Sequence, residues 1–103
     1  MDISPTETEQ LLLVRSGARR WALPVADVLY VGALGPLLRL PHASRFFSGA
    51  VAHRGEVLPV FDLARLLGTE DATAAFVAFV RRAGQTIGLR VAGIEGVGQR
   101  RRR

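Results

Sequence analysis

Few residues in this chain have side chains that do chemistry. Ser48, His53 and Asp62 supply the hydroxyl, imidazole and carboxylate of a hydrolase triad. They come without a Gly-x-Ser-x-Gly elbow or a glycine-rich oxyanion loop, in a chain of 103 residues that is short for such scaffolds. Asp62 stands directly before Leu63-Ala64-Arg65-Leu66-Leu67, where an aspartate is most economically a helix N-cap. No cysteine is present, which excludes thiolate zinc sites, a cysteine nucleophile and a disulfide framework. His42 and His53, the two histidines, read as a loop residue and a strand residue, too few to hold a metal. Gly93-x-x-Gly96-x-Gly98 departs from the dinucleotide fingerprint and has no helical period after it, so no phosphate cradle is expected. The residues therefore predict no catalytic, cofactor-binding or metal-binding site, and a protein that is not an enzyme.

Charge gives the next constraint. All fourteen basic residues are arginine, set against nine acids for a formal +5, and four of them form the run Arg100-Arg101-Arg102-Arg103. Without that run ten arginines face nine acids, a net of +1, so the high isoelectric point describes a tail and not a basic face. The tail has two readings: a solvated end, or an electrostatic contact to nucleic acid or another acidic surface, whose affinity falls steeply with salt. A small basic-tailed β-barrel that binds nucleic acid is accordingly the alternative function. No apolar run approaches the ~18–20 residues of a membrane span. The N-terminus, polar and acidic through Asp2, Glu7 and Glu9, is unlike a signal peptide. A cytoplasmic protein with no membrane insertion is expected.

The elements that must position any site are short. Residues 1–9 read as a flexible lead-in. Leu11-Leu12-Leu13-Val14 and the alternating Trp21-Ala22-Leu23-Pro24-Val25 form a first hairpin, with Trp21, Leu23 and Val25 on one side. A short step at Ala26-Asp27 precedes a strand at Val28 to Val31. Prolines and glycines then punctuate a loop up to Phe46-Phe47, with Leu37, Leu38 and Leu40 beside it. Ala50 to His53 and Val57 to Phe61 flank Arg54-Gly55-Glu56, the clearest hairpin signal, since glycine supplies the positive φ of such turns. After the short helix that ends at Gly68, Thr69-Glu70-Asp71 marks the one internal boundary. Ala74 to Val80 and Thr86 to Val91 form another hairpin, and Gly93 to Gly98 starts one more strand. Many short strands with almost no helical period indicate an all-β barrel or sandwich.

In this order, Trp21-Ala22-Leu23-Pro24-Val25 with Val28, then Leu40-Pro41, then the run Gly49 to Leu63, then Ile87-Gly88-Leu89-Arg90-Val91 resemble the CheW-like coupling domain of bacterial chemotaxis-type signalling. The specific part is the central run: an apolar strand, an Arg54-Gly55 turn, Leu58-Pro59-Val60-Phe61, and the Asp62-Leu63 helix start. The reduced architecture also resembles the small CheW-like adaptor of a Frizzy-type (Frz) motility system. The resemblance implies two small SH3-like β-barrel subdomains with very short helices, the second barrel incomplete. It divides the chain into residues 10–68, the first hairpin and first barrel, and 69–98, a partial second barrel, with 99–103 a basic tail.

The same resemblance implies a non-catalytic adaptor that binds the signalling tip of methyl-accepting chemoreceptors and links them to a CheA-type histidine kinase in receptor clusters. The candidate partner-binding residues are Arg54, Gly55, Glu56, Val51, His53, Phe46, Phe47 and Leu38. Arg54 reads either as a partner contact or as a solvated turn residue, and the phenylalanines as core residues of which one or two reach a groove for an amphipathic helix. The chain departs from the family pattern in three ways. It is short, with Gln99 and four arginines where strands completing the second barrel are expected. The open edges then need a cover, and a homodimer is one form of it. Tyr30 stands where an acidic partner for the Arg54 position is usual, and Ala92 where an aspartate is usual. The expectation is that receptor binding is kept and direct kinase binding is weakened or lost.

Overall fold

The computed structural model describes residues 8–39, 45–69 and 73–101. Leu40, Pro41, His42, Arg102 and Arg103, which figure in the expectations above, lie outside them. The apolar run at the start forms β1 (Thr8–Ser16), which turns at Gly17 and Ala18 into β2 (Arg19–Pro24). Leu12 faces Leu23 and Val14 faces Trp21 across this hairpin, so the apolar alternation of both strands lands on one side. Pro24, with no amide to donate, closes β2, an outer strand of its sheet. A 3-10 turn, Val25–Asp27, leads into β3 (Val28–Ala33).

The hairpin signal around Arg54 gives β4 (Phe47–His53) and β5 (Glu56–Asp62). Asp62 then caps α1 (Leu63–Leu66), the one α-helix among the described residues: the Arg65 amide donates to its Oδ1 at 3.3 Å. At the other end Gly68 (φ +83°) closes the turn, with the Thr69 amide donating to Ala64 O and the Gly68 amide to Arg65 O. β6 (Phe76–Arg82), β7 (Gln85–Val91) and β8 (Gly93–Arg101) follow.

The strands form two sheets, one ordered β2-β1-β8 and one ordered β3-β6-β7-β5-β4. The segment order suggests a division at residue 68, but each sheet takes strands from both sides of it. The physical reason is pairing at long range: β7 lies parallel to β5, and β8 returns to lie antiparallel to β1. The five-stranded sheet rolls so that its outer strands approach one another, with the Tyr30 ring of β3 4.8 Å from the His53 ring of β4. Inside the roll lies a core of Val51, Leu58, Val60, Val77 and Phe79, with Leu34 and Leu37 packed on it. A second core of Leu12, Val14, Leu63 and Val91 joins the two sheets, and Trp21, Leu23 and Val25 pack on it together, as their alternation requires.

Two termini differ from the sequence expectation. β1 starts at Thr8, inside the stretch read as a lead-in, and β8 runs on to Arg101, inside the stretch read as a tail. Each extension supports the other: Glu9 lies opposite Arg100, whose Nη2 donates to the Glu9 carboxylate. Further along the same sheet, Glu95 of β8 sits between Arg20 Nε at 2.8 Å and Arg15 Nε at 3.6 Å. One carboxylate thus ties all three strands across the β1–β2 hairpin.

Candidate partner interface at the Arg54 turn

The turn between β4 and β5 is two residues long, with His53 opposite Glu56. Both turn residues are left-handed, Arg54 at φ +50° and Gly55 at φ +81°, which is the type I′ geometry whose twist matches that of the strands it joins. Glycine takes this conformation without penalty, whereas Arg54 carries a side chain there at some cost. The turn holds the Arg54 side chain in solvent at the tip of the hairpin. Among the described residues no carboxylate lies within salt-bridge distance of it.

Beneath the turn three rings meet. His53 lies 4.6 Å from Phe79 and 4.8 Å from Tyr30, and Tyr30 lies 6.0 Å from Phe79, all in tilted packing. Tyr30 occupies the position where an acid is expected, and it spends its ring on this cluster, not on the arginine. It also leans over Gly32, where a Cβ would come within 2.8 Å of the Tyr30 ring carbon Cζ. Phe79 is almost fully buried and plugs the barrel, while Tyr30 and His53 stay partly exposed at its mouth. Phe79 was not singled out by the sequence; its place in the alternation of β6, two residues from Val77 and on the same face, is the signal that could have found it.

The other candidates scatter. Gly55 and Glu56 share the exposed turn with Arg54, but Val51 is 8% exposed and belongs to the barrel core. Phe47 packs edge to face on Phe61 at 5.7 Å, at the far end of the β4–β5 hairpin from Arg54. Phe46 lies beside it in sequence, with the Arg45 guanidinium 5.2 Å above its ring. Leu38 is 57% exposed and bridges through its backbone to Ala50. The structure therefore separates the Arg54 turn with His53 from the Phe46, Phe47 and Leu38 group. Of the arginine run, Arg100 is tied to Glu9 and Arg101 is an exposed strand residue.

Of the triad residues, His53 is kept apart from Ser48 and Asp62, which stand at the other end of the β4–β5 hairpin. Asp62 is 3% exposed and engaged in capping α1, six residues along β5 from Glu56, the partner of His53. At about 3.3 Å per strand residue, some ~20 Å separates it from the His53 end. Gly93, Gly96 and Gly98 lie within β8 itself, where Gly98 accommodates Leu13 of the neighbouring strand at 3.5 Å from its would-be Cβ. Among the described residues no group of three or more His, Asp or Glu side chains is placed to hold a metal ion, and no helix is long and apolar enough to cross a membrane.

The chain that folds in this way, a rolled five-stranded sheet joined to a sheet containing the N-terminal hairpin, matches over residues 10–101 a family model described as a CheW-like domain. The chain belongs to the CheW-like domain family. It is 41% identical over 64 residues to Protein FrzA of Myxococcus xanthus, covering 62% of this chain and 40% of that protein. It is 31% identical over 93 residues to a probable chemotaxis protein CheW of Rhizobium etli, covering 85% of this chain and 59% of that one. Its fold superposes on the crystal structure of the scaffolding protein TtCheW from Thermoanaerobacter tengcongensis with a TM-score of 0.81 at 22% identity, over 87% of this chain and 64% of the other. The CheW-like chain thus spans about 40–60% of the length of these two sequence relatives. The CheW-like membership accounts for the central run from Gly49 to Leu63, which the structure folds as β4, the Arg54 turn, β5 and the start of α1.

Proposed function

We propose that this CheW-like chain is a non-catalytic adaptor of chemotaxis-type signalling. It binds the cytoplasmic signalling tip of methyl-accepting receptors and joins them to a pathway run by a CheA-type histidine kinase, within receptor clusters on the cytoplasmic side. The observation that carries the reading is the Arg54 turn: a guanidinium held out in solvent by a strained backbone, with no carboxylate of the described residues beside it. An arginine whose donors are unused is free to pair with a carboxylate of another chain, and such arginines are frequent anchors of interfaces.

Direct kinase binding is weakened in this reading. Its basis is the ring of Tyr30 where the family usually carries an acid, and Ala92, 7% exposed, where it usually carries an aspartate. Calorimetric titration against a receptor signalling-tip fragment and against the kinase regulatory domain tests both parts. The fragment is expected to bind, with Arg54→Ala weakening it about five-fold or more, as truncation of an anchoring residue does. The kinase domain is expected to bind at least about tenfold more weakly than the fragment, a gap of about 1.4 kcal/mol. Equal binding to both would remove the claim of a lost kinase interface, and no binding to either would remove the adaptor reading.

A further inference from the structure

The sheet order brings a second turn to the side of Arg54. β5 and β7 run parallel, with Val60 beside Gly88 and Phe61 beside Leu89. Carried back three residues, this register sets Val57 level with Gln85. Each strand begins just after a two-residue left-handed turn, Arg54-Gly55 in one case and Ala83-Gly84 (φ +52° and +79°) in the other. Both turns therefore leave the barrel at the same end, on strands about 4.8 Å apart.

β6 finishes at that end with Arg81 and Arg82, both exposed. Alternation from Val77 and Phe79 puts Arg81 on the face of the ring cluster and Arg82 on the opposite face. Like Arg54, neither has a carboxylate of the described residues within salt-bridge distance, although Asp27 and Glu56 stand near this end in the chain. Two exposed apolar residues also stand at this end by register: Val57 at 66% exposure, next to Glu56, and Leu29 at 56%, next to Val28, which pairs with Val80.

From this juxtaposition we infer that the contact surface is the whole hairpin end of the barrel, both turns together, and that it receives a polypeptide segment bearing two or more carboxylates around an apolar side chain. The inference rests on the adaptor reading above and adds Arg81 and Arg82 to the site with the chemistry of what they recognise. Three like charges gathered at one end of the barrel attract anions, and each guanidinium offers paired donors that fit a carboxylate. Exposed Val57 and Leu29 match an apolar side chain, whereas a phosphate backbone offers them nothing. The ring of Tyr30 is already folded against His53 and Phe79, so it is no free platform for a base.

The test uses the intact chain, with amide resonances of Gly55 and Gly84 reporting on the two turns. The probes are a synthetic peptide containing Glu-Leu-Glu, its Gln-Leu-Gln counterpart, a duplex DNA oligonucleotide, and the receptor signalling-tip fragment. The Glu-Leu-Glu peptide is expected to move both resonances together, less so at high salt, and the Gln-Leu-Gln peptide to move neither. With the receptor fragment, the double variant Arg81→Ala/Arg82→Ala is expected to lose about five-fold or more in affinity, as Arg54→Ala does. Arg19→Ala, at the start of β2 in the other sheet, is expected to lose none, and all three variants to melt like the parent. Fragment binding that survives the double variant within about twofold overturns the inference and leaves the adaptor reading in place. Movement of both resonances by the Glu-Leu-Glu peptide without fragment binding does the reverse. Movement of Gly55 without Gly84, no response to the acidic peptide, or a response to DNA alone overturns the inference outright.

Discussion

At Gly88 the barrel has no room for a side chain. A Cβ there would meet Phe79, Val60 and Val77, each at 3.0 Å, because the Phe79 ring lies across the backbone of its partner strand. Gly88→Val is therefore expected to destabilise the chain by about 1–3 kcal/mol through overpacking. In a domain of this size each kcal/mol lowers the melting temperature by about 4–8 °C, which thermal unfolding followed by circular dichroism would read. An unchanged melt would mean that Phe79 does not pack there. Asp62 acts at the same scale by a different force: it is buried, and its carboxylate satisfies the Arg65 amide at the start of α1. Asp62→Ala is expected to cost about 1 kcal/mol and Asp62→Asn much less, since asparagine caps equally well. Equal losses for the two would show that the carboxylate's charge, and not its capping hydrogen bond, stabilises the chain.

At the scale of elements, the two left-handed turns set the registers of β4 with β5 and of β6 with β7. In each the first turn residue is not glycine, and Ala83 in particular gains nothing from its side chain in return for its φ of +52°. Ala83→Asn creates the Asn-Gly pair that this turn type prefers and is expected to raise stability by about 0.5–1 kcal/mol. A lower melting temperature would show that the turn is not of this type. The β1–β2 hairpin and β8 are fixed less by turns than by side chains, with Glu95 between Arg15 and Arg20 at one end and Glu9 against Arg100 at the other. These pairs are exposed and so contribute little stability each, but their placement selects the register.

For the whole molecule, the two sheets are expected to differ in how readily they open. The five-stranded sheet encloses its own core and has β6, β7 and β5 as interior strands, whereas the three-stranded sheet has β1 alone between two outer strands. Hydrogen exchange should be slowest for amides of β5, β6 and β7, and fastest, among strands, for β2 and the distal half of β8. Slowest exchange in β2 or β8 would overturn this order of stability. A firm barrel with a more easily opened flank is compatible with the proposed adaptor role, since it would hold the Arg54 end in fixed geometry.

Much of this was legible in the residues. The period-two runs, the Arg54-Gly55 turn and the Asp62 cap are local, since each depends on steric and hydrogen-bonding preferences of neighbours in the chain, and the structure folds each of them as expected. The run from Gly49 to Leu63 also carries the family, because it holds a strand, turn, strand and cap in one stretch. What only the tertiary structure decided is which strands become neighbours. The parallel contact of β5 with β7, the return of β8 onto β1, and the meeting of Tyr30, His53 and Phe79 are contacts between residues far apart in the chain. Such pairings are set by burial of apolar surface common to several segments, a quantity that no single segment contains.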